Sequence, residues 1–132
     1  MDEEPAFLEN ATVMIVGMGL MGGSLAMALN GKCASIIGVD HDEHILRKAL
    51  DERVIDAGYL SMEEIKSPVD VIILALPIKA ILSALRHLPG IYPGKAIVLD
   101  LGSTKHTILQ TMSRLPERFD PIGGHPMCGK EN

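Results

Sequence analysis

The segment Thr12-Val13-Met14-Ile15-Val16 runs straight into Gly17-Met18-Gly19-Leu20-Met21-Gly22-Gly23-Ser24. A run of strand character meets three glycines spaced G-x-G-x-x-G, and a mostly apolar segment of helical length, residues 20–30, follows before Gly31. The backbone has little choice here. The strand must end, the chain must turn at positions that tolerate no Cβ, and a helix must start at once. Such a strand–turn–helix unit belongs to a sheet covered by helices rather than to a bundle or a sandwich.

The remainder of the chain repeats that alternation. Residues 35–40 read as a second strand, and Asp42 can cap a helix reaching about Arg53. Met62 to Lys66 has the length of one short helical turn. Residues 69–75 are almost continuously apolar, as in a central strand covered on both faces. Pro77 opens the next helix, expected to reach about His87 and to be ended by Pro89-Gly90. Residues 96–100 form another strand, Ser103 or Thr104 can cap a helix to about Arg114, and residues 119–122 form a last short strand. No repeat, low-complexity tract or linker interrupts this order, so the 132 residues read as one domain. With no Trp, two Tyr and two Phe, its core must be built from Val, Ile, Leu, Ala and Met. The expected fold class is α/β: a Rossmann-like, doubly wound, mostly parallel sheet with helices on both faces.

The glycine loop then acquires a chemical reading. Gly17 permits the turn, Gly19 lets a pyrophosphate approach the backbone, and Gly22 lets the helix pack on the strand. Leu20 and Met21 begin the helix, whose free N–H groups and positive dipole end suit phosphate. A glycine-rich turn serving packing alone would look the same locally. The context favours a dinucleotide: a strand before, a helix after, and an acid, Asp40, ending the next strand. A carboxylate at that place accepts from ribose hydroxyls and repels a 2′-phosphate, and His41-Asp42-Glu43 adds no Arg. NAD is therefore expected, with NADP disfavoured. The other reading of Asp40 is as a helix cap. His41 and His44 beside Asp40 and Asp42 could suggest a metal, but solvated residues at a helix start are the better reading, and no metal is expected.

Composition narrows the partners. The formal net charge is −5 with no basic run, which argues against nucleic acid. The start, Met1-Asp2-Glu3-Glu4-Pro5, is acidic where a secretion signal would be basic, and the longest apolar run is too short to span a bilayer. Cys33 and Cys128 fit no metal spacing and suit a reducing cytoplasm.

In an open α/β sheet, ligands sit outside the carboxyl ends of the strands. Three further loops should share that rim with the glycine loop: Leu76-Pro77, then Leu101-Gly102-Ser103-Thr104-Lys105, then Gly123-Gly124-His125-Pro126. The proline after His125 favours an extended backbone that projects the imidazole.

These motifs, with Gly129-Lys130-Glu131 after Met127-Cys128, resemble the nucleotide-binding domain of prephenate and arogenate dehydrogenases, over almost all of the chain after Thr12. The resemblance implies an NAD-dependent oxidative decarboxylation of a cyclohexadienol, prephenate or arogenate, in tyrosine biosynthesis. It places Ser103 and His125 near the ring hydroxyl of the substrate. His125 can then take the hydroxyl proton and Ser103 can orient the imidazole. Lys105 and Lys130 become candidates for balancing a dicarboxylate, although each suits a solvated surface equally. A Cys128–His125 nucleophilic pair has no task in this chemistry. The resemblance also implies a largely helical second domain, absent after Asn132, that pairs subunits into a homodimer and completes the substrate site. By itself, the 132-residue chain is expected to be inactive. Other readings are a 3-hydroxyacid-type dehydrogenase and a nucleotide-binding sensor without chemistry of its own.

Overall fold

The computed structural model describes the backbone of residues 4–101 and 105–122, and side chains within residues 7–101 and 107–121. In chain order the elements are α1 (Glu4–Glu9), β1 (Thr12–Val16), α2 (Leu20–Leu29), β2 (Ser35–Val39), α3 (Glu43–Asp51), β3 (Ala57–Tyr59), a 3-10 turn (Met62–Glu64), β4 (Val71–Leu74), α4 (Ile78–Ile91), β5 (Ala96–Asp100), α5 (Lys105–Met112) and β6 (Phe119–Ile122). Among these residues the strands form one six-stranded sheet of order β3-β2-β1-β4-β5-β6. Every pairing is parallel. The chain starts in the middle, builds outward through β2 and β3, then returns to the other side of β1 for β4, β5 and β6. β1 and β4 flank the point of reversal, in register from Val13 against Val71 to Val16 against Leu74.

The two-residue period of the strands sorts their side chains between two cores. Val13 and Ile15 of β1, with Ile36 and Ile73, pack against Ala26 of α2 and Leu46 and Ala49 of α3. Met14 and Val16, with Ile72, Leu74 and Val98, pack against Ile81, Leu85 and Leu88 of α4 and Ile108 and Met112 of α5. Helices thus cover both faces, which explains why the central strands carry no polar alternation. The amino ends of two strands are pinned by carboxylates: Asp70 Oδ2 accepts from the Thr12 amide at 2.8 Å, and Asp56 Oδ2 accepts from the Ile36 amide at 2.7 Å.

The sequence reading of the fold holds, with three corrections. First, β3 was not expected. It is only three residues long and half-buried throughout, so it carries neither an apolar run nor a clean alternation. Second, α1 was not expected either; its six residues are too few for a periodic signal. Third, α4 does not stop near His87 but passes through Pro89 to Ile91. Proline there forfeits one amide bond close to the helix end, and the helix still closes with the Tyr92 amide donating to the Leu88 carbonyl at 2.9 Å. The guanidinium of Arg118 collects the final carbonyls, donating to Pro89 at 2.9 Å, Tyr92 at 2.9 Å and Gly94 at 3.1 Å. The expected caps of α5, Ser103 and Thr104, lie outside the described residues.

Candidate nucleotide-binding site

The crevice opens where the strand order reverses, at the carboxyl ends of β1 and β4, which is where open α/β sheets bind ligands. The glycine loop lies across it. Gly17 has φ of 98°, in the left-handed region, and a Cβ there would collide with the Ala75 carbonyl and with Leu76. A Cβ on Gly22 would run into the carbonyl oxygen of Gly17. These two glycines are therefore required by the approach of loop, helix and β4. Gly19 differs: a Cβ there meets nothing within 4 Å. It borders open space, as a residue approached from outside the protein would.

Gly19 is also the N-cap of α2 and offers no side chain to the first amides of the helix, and the first turn contains no acidic residue. Leu20 and Met21 stand on that turn 91% and 57% exposed. The start of α2 thus presents uncapped N–H groups and the positive end of a ten-residue helix to the crevice.

Asp40 follows β2 and is half-buried. It does not cap α3; Asp42 does, its Oδ1 accepting from the amides of His44 at 3.0 Å and Ile45 at 3.4 Å. Asp40 instead accepts from the Met18 amide through Oδ2 at 2.8 Å and from the Asp42 amide through Oδ1 at 2.9 Å. Each carboxylate oxygen has a second lone pair for another donor.

Beside Gly17 and Asp40 lies a cavity of about 510 Å³. Leu60, Ser61, Met62 and Glu63 form one wall, after β3, and Leu76 with Ala80, Ala84 and Ile91 of α4 forms the other. The size and largely apolar walls suit a flat heteroaromatic ring joined to a sugar held at Asp40. The open Gly19, the uncapped helix start, the acid and the cavity together fit a dinucleotide. The wall residues after β3 escaped the sequence reading because β3 itself did.

The other expected residues divide. Leu76 packs against Gly17 and lines the cavity, and Pro77 is the exposed N-cap of α4. Lys105 begins α5, but its side chain is outside the described residues, as are Ser103, His125, Cys128 and Lys130 altogether. The backbone does fix where their loops begin. β5 and β6 are parallel neighbours, with Leu99 opposite Ile122, so both strands end on the side of the sheet that carries the glycine loop. Asp100 ends β5 on that rim, fully buried and in register with Leu74, and was not singled out from the sequence. Among the described residues no three His, Cys, Asp or Glu side chains gather as a metal site would need, and no helix is long and apolar enough to cross a membrane.

Comparison with known proteins agrees with this geometry. Residues 25–132 match the family model described as prephenate dehydrogenase, nucleotide-binding domain. The prephenate dehydrogenase of Bacillus subtilis is 34% identical over 89% of this chain and 33% of its own length. The chain thus spans about a third of that relative. Among solved structures, prephenate dehydrogenase of Aquifex aeolicus in complex with hydroxyphenyl propionate and NAD+ superposes with a TM-score of 0.77 at 34% identity, over 95% of this chain and 44% of that one. Arogenate dehydrogenase of Synechocystis superposes with a TM-score of 0.73 at 32% identity, over 85% of this chain and 39% of that one. The chain belongs to the prephenate dehydrogenase family, matching its nucleotide-binding domain over residues 25–132.

Proposed function

We propose that this chain is the NAD-binding part of a dehydrogenase that converts prephenate to 4-hydroxyphenylpyruvate with loss of carbon dioxide. The observation that carries the reading is the crevice at the point of strand reversal, with Gly19 open to it and Asp40 at its sugar end. The structural likeness to an enzyme holding NAD+ and a hydroxyphenyl ligand supports it. NAD, when bound, supplies the hydride acceptor. The domain's own residues bind and orient. The start of α2 meets the diphosphate, Asp40 accepts from the ribose hydroxyls, and its charge disfavours a 2′-phosphate.

His125 is the proposed proton acceptor for the ring hydroxyl as hydride leaves the same carbon and the carboxylate departs as carbon dioxide. Ser103 is proposed to orient that imidazole, and Lys105 and Lys130 to balance the substrate's negative charge. The motif resemblance supports these roles, as does the parallel pairing of β5 and β6, which brings Leu99 opposite Ile122 on the glycine-loop side of the sheet. Much of the substrate site and a homodimer interface are assigned to the portion of the relatives' length that this chain does not span. Two cysteines, Cys33 and Cys128, with no disulfide framework in the sequence support a cytoplasmic setting.

The likeness to an arogenate dehydrogenase favours a second reading, in which the substrate side chain carries an amino group. Calorimetric titration tests the cofactor: NAD should bind this chain more tightly than NADP, and the reverse order refutes the reading of Asp40. Catalysis is tested in a protein extended to the length of its relatives, with prephenate and arogenate as rival substrates. His125→Asn should keep NAD affinity and lose turnover by roughly 10²- to 10⁴-fold, the usual worth of a positioned acid–base group. An undiminished rate would exclude the role.

A further inference from the structure

We propose that Asp40 is a positioning residue for the glycine loop, holding it in the geometry that receives a diphosphate, as well as a ligand for the sugar. The proposal rests on the nucleotide reading above and adds a role that does not pass through the sugar.

Met18 lies between the first two glycines of the loop. Its amide donates to Asp40 Oδ2 at 2.8 Å, and the preceding amide, of Gly17, donates to the Val39 carbonyl at 2.7 Å. Two consecutive loop amides are thus tied to two consecutive residues at the end of β2. The Met18 side chain is held by the same strand. It is buried and lies so close over Gly38 that a Cβ there would sit 3.2 Å from its Cγ and Sδ. On the other side, Gly17 is pressed between Ala75 and Gly22. The next residue, Gly19, is the one with open space around it. The residues just before Gly19 thus help set the direction in which it faces, and Asp40 supplies the only side-chain hydrogen bond to a Gly17–Gly22 amide among the described residues.

Asp40 is itself held. Its other oxygen accepts from the Asp42 amide at 2.9 Å, and Asp42 caps α3. The carboxylate bridges the glycine loop to the start of the next helix, and turning it toward a ligand would release both amides. Sugar recognition alone calls for an acid at the end of β2, with no bond to Met18.

The two roles predict opposite signs for a ligand without a sugar. If Asp40 only binds ribose, removing its negative charge leaves inorganic pyrophosphate binding unchanged or tightens it, because like charge repels. If Asp40 positions the loop, the same change weakens pyrophosphate. NMR titration of the 132-residue chain with inorganic pyrophosphate, with amide exchange read at Met18, makes the comparison. The Ile36 amide, held by Asp56 at the far end of the sheet, is the reference for general loosening.

Asp40→Ala is expected to weaken pyrophosphate about 5- to 10-fold, the worth of one lost hydrogen bond, and to speed exchange at Met18 but not at Ile36. Asp40→Asn, whose carbonyl can still accept from Met18, should stay within about twofold of the wild type. In the wild type, saturating pyrophosphate should slow exchange at Met18 and leave Ile36 unchanged, because coupling between two events is reciprocal. That arm decides the matter even if a variant fails to fold. Unchanged or tighter pyrophosphate binding by Asp40→Ala overturns the proposal. So does an Asn variant as weak as the Ala one, or a Met18 amide indifferent to pyrophosphate. A wild-type chain that binds neither pyrophosphate nor NAD would overturn the nucleotide reading and this proposal with it.

Discussion

The phenol of Tyr92, just past α4, closes a pair of hydrogen bonds with Val69, accepting from its amide at 2.9 Å and donating to its carbonyl at 3.0 Å. Both residues are buried, so the hydroxyl replaces water for a backbone segment that enters β4. Tyr92→Phe should cost about 1–3 kcal/mol, since it strands a buried donor and acceptor together. Urea unfolding checks this: the midpoint should fall with an unchanged slope, and a midpoint like the wild type's would mean that Val69 finds other partners.

The two contrasting glycines separate folding from binding. Gly22→Ala places a methyl group against the Gly17 carbonyl, and neither backbone can yield. A loss of more than about 2 kcal/mol is expected, at the upper range for overpacking. Gly19→Ala has space and an ordinary φ of −71°, so its stability should stay within about 1 kcal/mol of the wild type. Yet the new methyl stands where a diphosphate must approach, and NAD affinity should fall at least about tenfold. Melting temperature and calorimetric affinity, measured on both variants, give the test; a Gly19→Ala variant that binds NAD normally would show that the diphosphate lies elsewhere.

Cys33 should be a slow thiol. Burial first, and then the nearby Asp56 carboxylate, push its pKa up from the ordinary thiol value. The folded state therefore favours the protonated form. Any stability this gives is full below the unfolded thiol's pKa and is lost as pH rises through the higher folded value. With Cys128 changed to Ser, alkylation by iodoacetamide should be slower than that of a free thiol at pH 8, and should climb only at higher pH. Unfolding in urea should restore the ordinary rate. Ordinary reactivity in the folded chain would contradict the shift.

What could be read from the sequence followed from how local each requirement is. The glycine loop was legible because Gly17 and Gly22 answer to the backbone, and backbone demands leave a mark in residue type. The central strands were legible because burial on both faces removes polar residues from them. β3 was not, since an edge strand of three half-buried residues has no pattern of its own and is defined by its pairing with β2. The end of α4 was missed for a related reason: Pro89 reads as a stop, and the bond to its carbonyl from Arg118, far along the chain, leaves no local sign. Asp40 was expected either to bind a sugar or to cap a helix. The second choice fell to Asp42, and the bond from Met18 to Asp40 could not be foreseen, because it depends on how closely the loop folds back over β2. Ser103, His125 and Lys130 rest on motif resemblance, since they lie outside the described residues.

The all-parallel sheet also governs when the crevice can exist during folding. Parallel neighbours cannot be joined by a tight hairpin, so each pairing waits for the connecting segment between the strands. β1 meets β4 through Val13 and Val71, 71 − 13 = 58 positions apart, after the whole β2–β3 half has been threaded past. Contacts so distant in sequence form slowly. A nascent chain stopped before Val71 would carry every glycine of the loop and no cleft beside it. Nucleotide capture is therefore a property of the completed centre of the sheet, and a dinucleotide added during refolding should act on the last steps of assembly rather than the first.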